Sequence, residues 1–345
     1  MEKQLGPNTQ LGRYKLNSLL GIGGSSEVYR ATDTELKRQV AIKCIHITTA
    51  DKSATQSIEH EAALTAQLNH PNIVQLHDIV ITDQVLGLVM EYVDGATLKE
   101  TMKQTKPDQS QALDWLAQIS KGLGHAHKSG IIHCDLKLDN VVLTKDNVVK
   151  IADFGIAKAL LPVKTPGSIK FPEPTSSSQI SGSAHAVSPE QAQGKQLDVR
   201  TDIFSFGILA YQLLTGRHPF GIDQDDQTIM QRIVHQPFEF SAADRISMPD
   251  TLLGLISALL EKKPTNRPKN MEAISARLQH ILELTRSDTK EDDHTRLIPL
   301  ITSVKFWQQP IIQWCAFAML LTVITLSSWF LWPTNKPEPV YVALI

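Results

Sequence analysis

Hydrophobic positions change their spacing partway along the chain. Near the start, stretches rich in Val, Ile and Leu alternate with Gly or polar residues, a pattern that predicts strands at residues 14–20, 27–31 and 40–47. The next stretch places four residues on one helical face, namely Ile58, Ala62, Thr65 and Leu68. Helical spacing then dominates over residues 113–129, 201–215, 226–235, 251–261 and 271–284. The pattern predicts an α+β protein, in which a small β-rich lobe with one helix precedes a larger α-helical lobe.

The segment 311–332 is apolar throughout and carries no charge. As an α-helix it would be about 33 Å long, which is enough to cross a bilayer. Tryptophans stand near its ends, as they do at membrane interfaces: Trp307, Trp314, Trp329 and Trp332. The alternative is a buried core helix, but such helices seldom run this long without a charge. We therefore predict a C-terminal transmembrane helix.

The charges around this segment predict its orientation. Lys336 alone follows it, whereas four basic residues precede it: Arg286, Lys290, Arg296 and Lys305. Basic residues favour the cytoplasmic side, so we expect the large N-terminal part in the cytoplasm and a single membrane pass. The flanking segments are predicted to be a polar N-terminal tail, a charged juxtamembrane linker and a short extracytoplasmic tail, at residues 1–13, 285–310 and 333–345. In the linker, Thr289 and Thr295 are candidate phosphorylation sites.

Composition narrows the class of protein further. Of the 345 residues, 42% are hydrophobic and 20% are charged, so most of the chain is expected to fold. The formal net charge of -2 argues against a nucleic-acid binder, which would carry an excess of Lys and Arg. Cys44, Cys134 and Cys315 lie far apart without metal-ligand spacing, so neither a disulfide framework nor a zinc site is predicted. His125 and His127 are predicted to be surface residues rather than metal ligands.

Four short motifs carry candidate chemistry. GIGGSSEV at residues 21–28 lies between two predicted strands, and its glycines would let backbone approach a phosphate, although a glycine-rich hairpin without a ligand has the same pattern. A dinucleotide-binding fingerprint is disfavoured because it should lead from a strand into a helix. VAIK places Lys43 on the third predicted strand. HCDLKLDNVVL at 133–143 is followed ten residues later by DFG at 153–155.

Together these motifs resemble the protein kinase family over residues 14–284, with SPE at 188–190 closing the activation segment. The resemblance implies a bilobal kinase fold, with an N-lobe at about 14–93 and a C-lobe at about 94–284. It implies that Asp135 is the catalytic base, that Lys137 contacts the transferred phosphate, and that Asn140 and Asp153 bind Mg²⁺, or Mn²⁺ in its place. The residues it assigns to ATP binding are Gly21, Ile22, Gly23, Gly24, Ser25, Ser26, Val28, Ala41, Lys43, Glu61, Glu91 and Val93.

Lys43 should be fixed by an acid on the helix that follows it. Glu61 in HEAAL is the preferred candidate and Glu59 is the alternative. Asp202 in RTDIFSFG resembles the helix aspartate that braces the catalytic loop. Glu190 and Arg267 resemble the buried pair under the activation segment.

Two positions depart from the family pattern. Ser26 stands where the third glycine of the loop is usual, and Cys134 replaces the arginine that often binds a phosphorylated residue of the activation segment. Since Cys134 cannot make that contact, we expect that activity does not depend on phosphorylation of the activation segment through this route. The tetrad DLKL resembles serine/threonine rather than tyrosine kinases.

The sequence therefore predicts a serine/threonine protein kinase that transfers the γ-phosphoryl group of ATP to protein hydroxyls and to itself. The alternative is a membrane-tethered pseudokinase that acts as a scaffold. The resemblance extends to bacterial Hanks-type kinases with one C-terminal anchor, which implies the bacterial inner membrane as its location. It also implies a forkhead-associated phosphothreonine-binding protein and a cognate phosphatase as partners.

Overall fold

The computed structural model describes residues 5–23, 26–47, 59, 62–154, 184–221 and 226–295, the last range with side chains to residue 285. The chain divides into two compact units, Met1–Ser287 and Asp288–Ile345. Several predictions lie outside the described residues, namely those for Gly24, Ser25, Glu61, most of the activation segment and the apolar segment 311–332. No helix within the described ranges is long and apolar enough to cross a membrane.

The described residues of the N-lobe form a six-stranded antiparallel sheet in the order β1-β2-β3-β4-β6-β5, besides part of one helix. Its strands are β1 Gln10–Leu11, β2 Tyr14–Ile22, β3 Ser26–Asp33, β4 Arg38–His46, β5 Leu76–Ile81 and β6 Val85–Glu91. Burial alternates along β3 with a period of two, as expected when successive side chains point to opposite faces. The three predicted strands correspond to β2, β3 and β4.

One face of the N-lobe sheet packs on the helix predicted after β4. Residues 62–65 are helical, and Ala62 is fully buried in a cluster with Ile45, Leu86 and Leu88. The described part of this helix therefore packs on the central strands.

A second sheet of three strands begins the C-lobe. It consists of β7 Gly95–Thr97, β8 Val141–Thr144 and β9 Val149–Ile151 in that order. Only glycine fits at Gly95, because a Cβ there would lie 2.1 Å from the carbonyl oxygen of Leu143. Outside these strands, Ile73 forms a parallel bridge with Ile151, which ties the N-lobe connection to the second sheet.

In the described remainder of the C-lobe the main elements are helices, as predicted. The helices are α1 Leu98–Gln104, α2 Gln109–Lys128, α3 Pro189–Ala192, α4 Arg200–Thr215, α5 Asp226–His235, α6 Ala242–Ser247, α7 Asp250–Leu259 and α8 Met271–Thr295. Helix α4 is buried on nearly every side and packs closely on α7, since a Cβ at Gly207 would lie 2.8 Å from the Cβ of Leu259. This central helix carries Asp202 towards the catalytic loop.

Helix α8 continues beyond its predicted end. Residues 287–296 lack apolar periodicity and are predicted to form a tether, yet the helix runs to Thr295. The physical reason is that this helix contains neither Gly nor Pro, so nothing in the sequence ends it at residue 284. Thr289 and Thr295 therefore lie on a helix.

Candidate active site

Asp202, in the first turn of α4, holds the catalytic loop in place. Its Oδ2 accepts the backbone N–H of His133 at 2.7 Å, and its Oδ1 accepts that of Cys134 at 2.8 Å. Nε2 of His127 lies 2.8 Å from Oδ2. Burial tends to raise the pKa of Asp202, but His127 and the Cys134 N–H outweigh it and hold the pKa below its ordinary value. Asp202 is therefore a buried carboxylate brace.

The prediction that His125 and His127 are surface residues is wrong for His127. Its side chain is 6% exposed because it lies against Asp202. His125 is half-buried, and its ring centroid lies 5.2 Å from that of His70. The partner of His127 is 75 residues away along the chain, so local spacing could not show the contact.

Two residues of the site adopt left-handed backbone conformations. The φ angle is 65° at Cys134 and 61° at Asp153. This region is unfavourable for a residue with a Cβ and persists only where the surroundings hold it. The segments that contain the predicted base and the predicted metal ligand are thus held by tertiary contacts.

Asp135 lies at the centre of the catalytic loop. Its Oδ2 accepts a hydrogen bond from Nζ of Lys137 at 2.8 Å and another from Nδ2 of Asn140 at 3.0 Å. The same Asn140 amide donates to the Asp135 carbonyl at 2.7 Å. The structure therefore brings three of the predicted site residues into direct contact.

His133 links the catalytic loop to the segment that contains Asp153. Its Nδ1 accepts the N–H of Asp135 at 3.2 Å, and its Nε2 lies 2.9 Å from the carbonyl of Ala152. Because Nδ1 accepts, Nε2 carries the proton and donates to that carbonyl. The ring also packs on Phe154, with centroids 4.7 Å apart. His133 therefore has a packing role between the catalytic loop and the segment that follows β9.

Lys43 and Asp153 form an ion pair between the two lobes. Nζ of Lys43, on β4, lies 2.9 Å from Oδ1 of Asp153. Burial raises the pKa of Asp153, but the charge and hydrogen bond of Lys43, with His133 and Lys137, bring the pKa below its ordinary value. The expected contact of Lys43 with Glu61 lies outside the described residues and stays a prediction.

Asn140 and Asp153 are suited to hold a magnesium ion. The N–H of Ala152 donates to the carbonyl of Asn140 at 2.8 Å, which places Asn140 beside the segment that carries Asp153. The Asn140 NH₂ group is directed to Asp135, which leaves its amide oxygen as an acceptor. A carboxylate and an amide oxygen are ligands that Mg²⁺ accepts, so these residues fit the ion that the family uses.

Val28 and Ala41, which are predicted to bind ATP, share one face of the N-lobe sheet with Lys43. Val28 pairs directly with Lys43, and directly opposed residues lie on the same face. Ala41 is two residues before Lys43 on β4, so it lies on that face too. The Glu91 side chain contacts Nζ of Lys150 at 2.8 Å, so a role of Glu91 in nucleotide binding would fall to its backbone.

The described residues on either side of Gly24 and Ser25 pair with each other in antiparallel fashion. Gly21 pairs with Val28 and Ile22 with Glu27, and the N–H of Gly23 donates to the carbonyl of Ser26 at 2.7 Å. Ile22 is 67% exposed. The paired strands β2 and β3 belong to the sheet that carries Lys43.

Glu190 and Arg267 form the buried pair that the resemblance implies. Two guanidinium nitrogens donate to the two carboxylate oxygens at 2.7 and 2.9 Å. Arg267 is 3% exposed, and it also donates to the carbonyls of Arg200, Glu261 and Lys262. The pair fixes α3 against the C-lobe.

Sequence reasoning missed two contacts near the site. Nε2 of Gln191 donates to the carbonyl of Cys134 at 2.8 Å, and Lys150 pairs with Glu91. Ser188 and Gln191 form a capping box, whose S-x-x-Q spacing was readable in the sequence. The contact with Cys134 had no local signal.

The fold and the arrangement of the site define a protein kinase. A comparison with family models matches residues 14–279 to the protein kinase domain, and the chain belongs to this family. Among curated proteins it is similar to a probable serine/threonine-protein kinase of Clostridium acetobutylicum, with 37% identity over 81% of this chain and 41% of the relative. It is 33% identical to the serine/threonine-protein kinase PrkC of Bacillus subtilis, over 84% of this chain and 44% of PrkC.

The serine/threonine-protein kinase PknB of Mycolicibacterium smegmatis is 36% identical over 79% of this chain and 43% of its own length. These relatives place the chain among bacterial Hanks-type kinases. The chain spans less than half the length of each of these relatives.

Proposed function

We propose that this protein is a serine/threonine protein kinase that transfers the γ-phosphoryl group of ATP to hydroxyls of proteins, including its own. The observation that carries the proposal is the contact of Asp135 with Lys137 and Asn140, next to the ion pair of Lys43 and Asp153. The bacterial relatives that bear the name serine/threonine-protein kinase support the choice of acceptor.

Each of these groups has a part in the reaction. The acceptor hydroxyl would lie against Asp135, which takes its proton as the new O–P bond forms and the bond to the β-phosphate breaks. Lys43 and Lys137 supply positive charge to the phosphate oxygens. Asn140 and Asp153 would hold Mg²⁺, which neutralises phosphate charge when bound.

The alternative, a scaffold without transfer, has less support. A scaffold that had lost catalysis would be expected to lack the lysine, the base or a metal ligand. Here all of these residues are present and make the contacts described above. Cys134 is the main departure near the base, and its backbone still meets Asp202.

Transfer from ATP labelled at the γ-phosphate, with magnesium and casein as acceptor, tests the proposal in the full chain. We expect label on serine or threonine, and we expect Lys43→Met to lose it. Lys15→Met is the matched control, since Lys15 is exposed on β2. A wild-type chain that binds ATP without transferring label would instead support the scaffold.

We further propose that residues 311–332 anchor the protein in the bacterial inner membrane with the kinase domain in the cytoplasm. The uncharged segment and the basic residues that precede it support this. The chain should remain with membranes after alkaline carbonate extraction, and deletion of 311–332 should release it. A full-length chain that carbonate extracts would overturn the anchor.

As partners we propose protein substrates, a forkhead-associated phosphothreonine-binding protein and a cognate phosphatase. Thr289 and Thr295 lie near the end of α8 and are candidates for autophosphorylation. Mass spectrometry after incubation with ATP should find phosphate on one of them. Capture of a forkhead-associated domain by the phosphorylated chain, lost when both are alanine, would support this partner, and capture unaffected by the change would contradict it.

A further inference from the structure

Gln191 is buried at the third position of α3, and both the oxygen and the nitrogen of its side-chain amide form hydrogen bonds. It is 4% exposed. Its Oε1 accepts the backbone N–H of Ser188 at 3.0 Å, and its Nε2 donates to the carbonyl of Cys134 at 2.8 Å. A buried amide that bridges two separate segments fixes their relative position, because breaking either bond leaves a polar group unpaired.

The peptide that Gln191 contacts is the one that leads into Asp135. Its carbonyl belongs to Cys134 and accepts from Gln191, while its N–H belongs to Asp135 and donates to His133. Since a peptide group is planar, these two hydrogen bonds on opposite edges fix its orientation. The position of the Asp135 backbone therefore depends on Gln191.

Cys134 itself needs to be held. Its φ of 65° is unfavourable for a residue with a Cβ. Asp202 binds its N–H and Gln191 binds its carbonyl, so two helices clamp the residue from its two ends. Of these two contacts, the one through Gln191 connects the catalytic loop to residues 184–192.

Residues 184–192 are in turn fixed to the C-lobe. The hydroxyl of Ser205 donates to the carbonyl of Ala186 at 2.7 Å, and Nε2 of His218 lies 2.7 Å from the carbonyl of His185. These contacts need no phosphate. They give Gln191 a fixed base from which to orient the Cys134–Asp135 peptide.

We infer that Gln191 is a positioning residue for the catalytic base: it orients Asp135 through the carbonyl of Cys134. The inference rests on the proposed kinase activity. It offers a way to align this loop where Cys134 replaces an arginine, and it requires no phosphorylated residue.

The test measures transfer to casein and nucleotide affinity in the full chain carrying Gln191→Met, which keeps the size of the side chain and removes both hydrogen bonds. We expect kcat to fall by about 10- to 100-fold, since displacements near 1 Å have such effects. The KM for ATP should stay within about twofold, because Lys43 and the N-lobe face are unchanged. Gln193→Met is the matched control, because Gln193 is the exposed residue that directly follows α3.

Rescue separates positioning from a general loss of structure. Glycine adopts a positive φ without the Cβ penalty, so adding Cys134→Gly to Gln191→Met should restore kcat at least about threefold. If Gln191→Met does not fold, Gln191→Glu takes its place, because it retains the acceptor for Ser188 and removes the donor to Cys134.

Three results would overturn the inference: kcat of the folded variant within about twofold of wild type, kcat and ATP affinity falling in parallel, or no rescue by Cys134→Gly. A wild-type chain without transfer would refute the proposed function instead. The two failures are therefore distinguishable.

Discussion

Replacing Arg267 by methionine tests how helix α3, which carries Glu190, is held. Arg267 donates to both oxygens of Glu190 and to three backbone carbonyls, and it is 3% exposed. In Arg267→Met the Glu190 carboxylate would keep the hydroxyl of Thr201 at 3.0 Å, but its charge would be unpaired in the interior. Removal of one partner of a buried pair costs about 3–5 kcal/mol of unfolding free energy.

Urea unfolding of the full chain, followed by tryptophan fluorescence, measures this loss. In thermal unfolding, where 1 kcal/mol corresponds to roughly 2–4 °C, the melting temperature should fall by about 6–20 °C. The double variant Glu190→Gln with Arg267→Met should be more stable than Arg267→Met alone, because it removes the unpaired charge. Arg277→Met is the control, since Arg277 is exposed on α8. A loss below about 1 kcal/mol in Arg267→Met would refute the reasoning.

Three further predictions concern packing, pH and the nucleotide site. Gly207→Ala should destabilise the protein by about 1–3 kcal/mol in urea unfolding, because the new methyl group meets fixed atoms at 2.8 Å, whereas Gly254→Ala, with open space around it, should be neutral or stabilising; equal effects would contradict this. Burial lowers the pKa of His218 from 6.5 to about 4, so the unfolded chain takes up the proton at a higher pH than the folded chain does. About 3 kcal/mol of unfolding free energy should therefore be lost as the pH falls from 6.5 to about 4. His218→Gln should remove that part of the pH dependence, and an unchanged slope would contradict the assignment. Lys150→Met should raise the KM for ATP by about 3- to 10-fold with little change in kcat. The reason is that Glu91, whose backbone is assigned to nucleotide binding, loses its Lys150 partner at 2.8 Å. An unchanged KM would contradict this prediction.

The elements with clear periodicity could be predicted from the sequence. The predicted helix 226–235 has the bounds of α5, and 201–215 differs from α4 by one residue. Helix α2 begins at Gln109, before its predicted start, because Asp108 and Gln111 form a capping box ahead of the apolar pattern. The short strands β7 to β9 have too few residues for a periodic signal, and β7 pairs with β8, which lies far along the chain from it.

The contacts of the site are likewise of two kinds, those between residues of one local motif and those between residues distant in sequence. The residues of the motifs were predictable because their spacing is local, and the structure brings Asp135, Lys137 and Asn140 together. The burial of His127 and the bond from Gln191 to Cys134 depend on residues that are distant in sequence, 75 and 57 positions apart. Such contacts are set by packing of whole helices, which a single sequence does not display.

The central claim is that Asp135 acts as the base of a phosphoryl-transfer site. Single-turnover transfer from ATP to casein by the full chain carrying Asp135→Asn tests it most directly, with ATP affinity measured on the same sample. We predict a transfer rate at least about 100-fold below that of wild type, with ATP affinity within about twofold. A rate within about tenfold of wild type would contradict the account, because such a small loss is below that expected when a general base is removed.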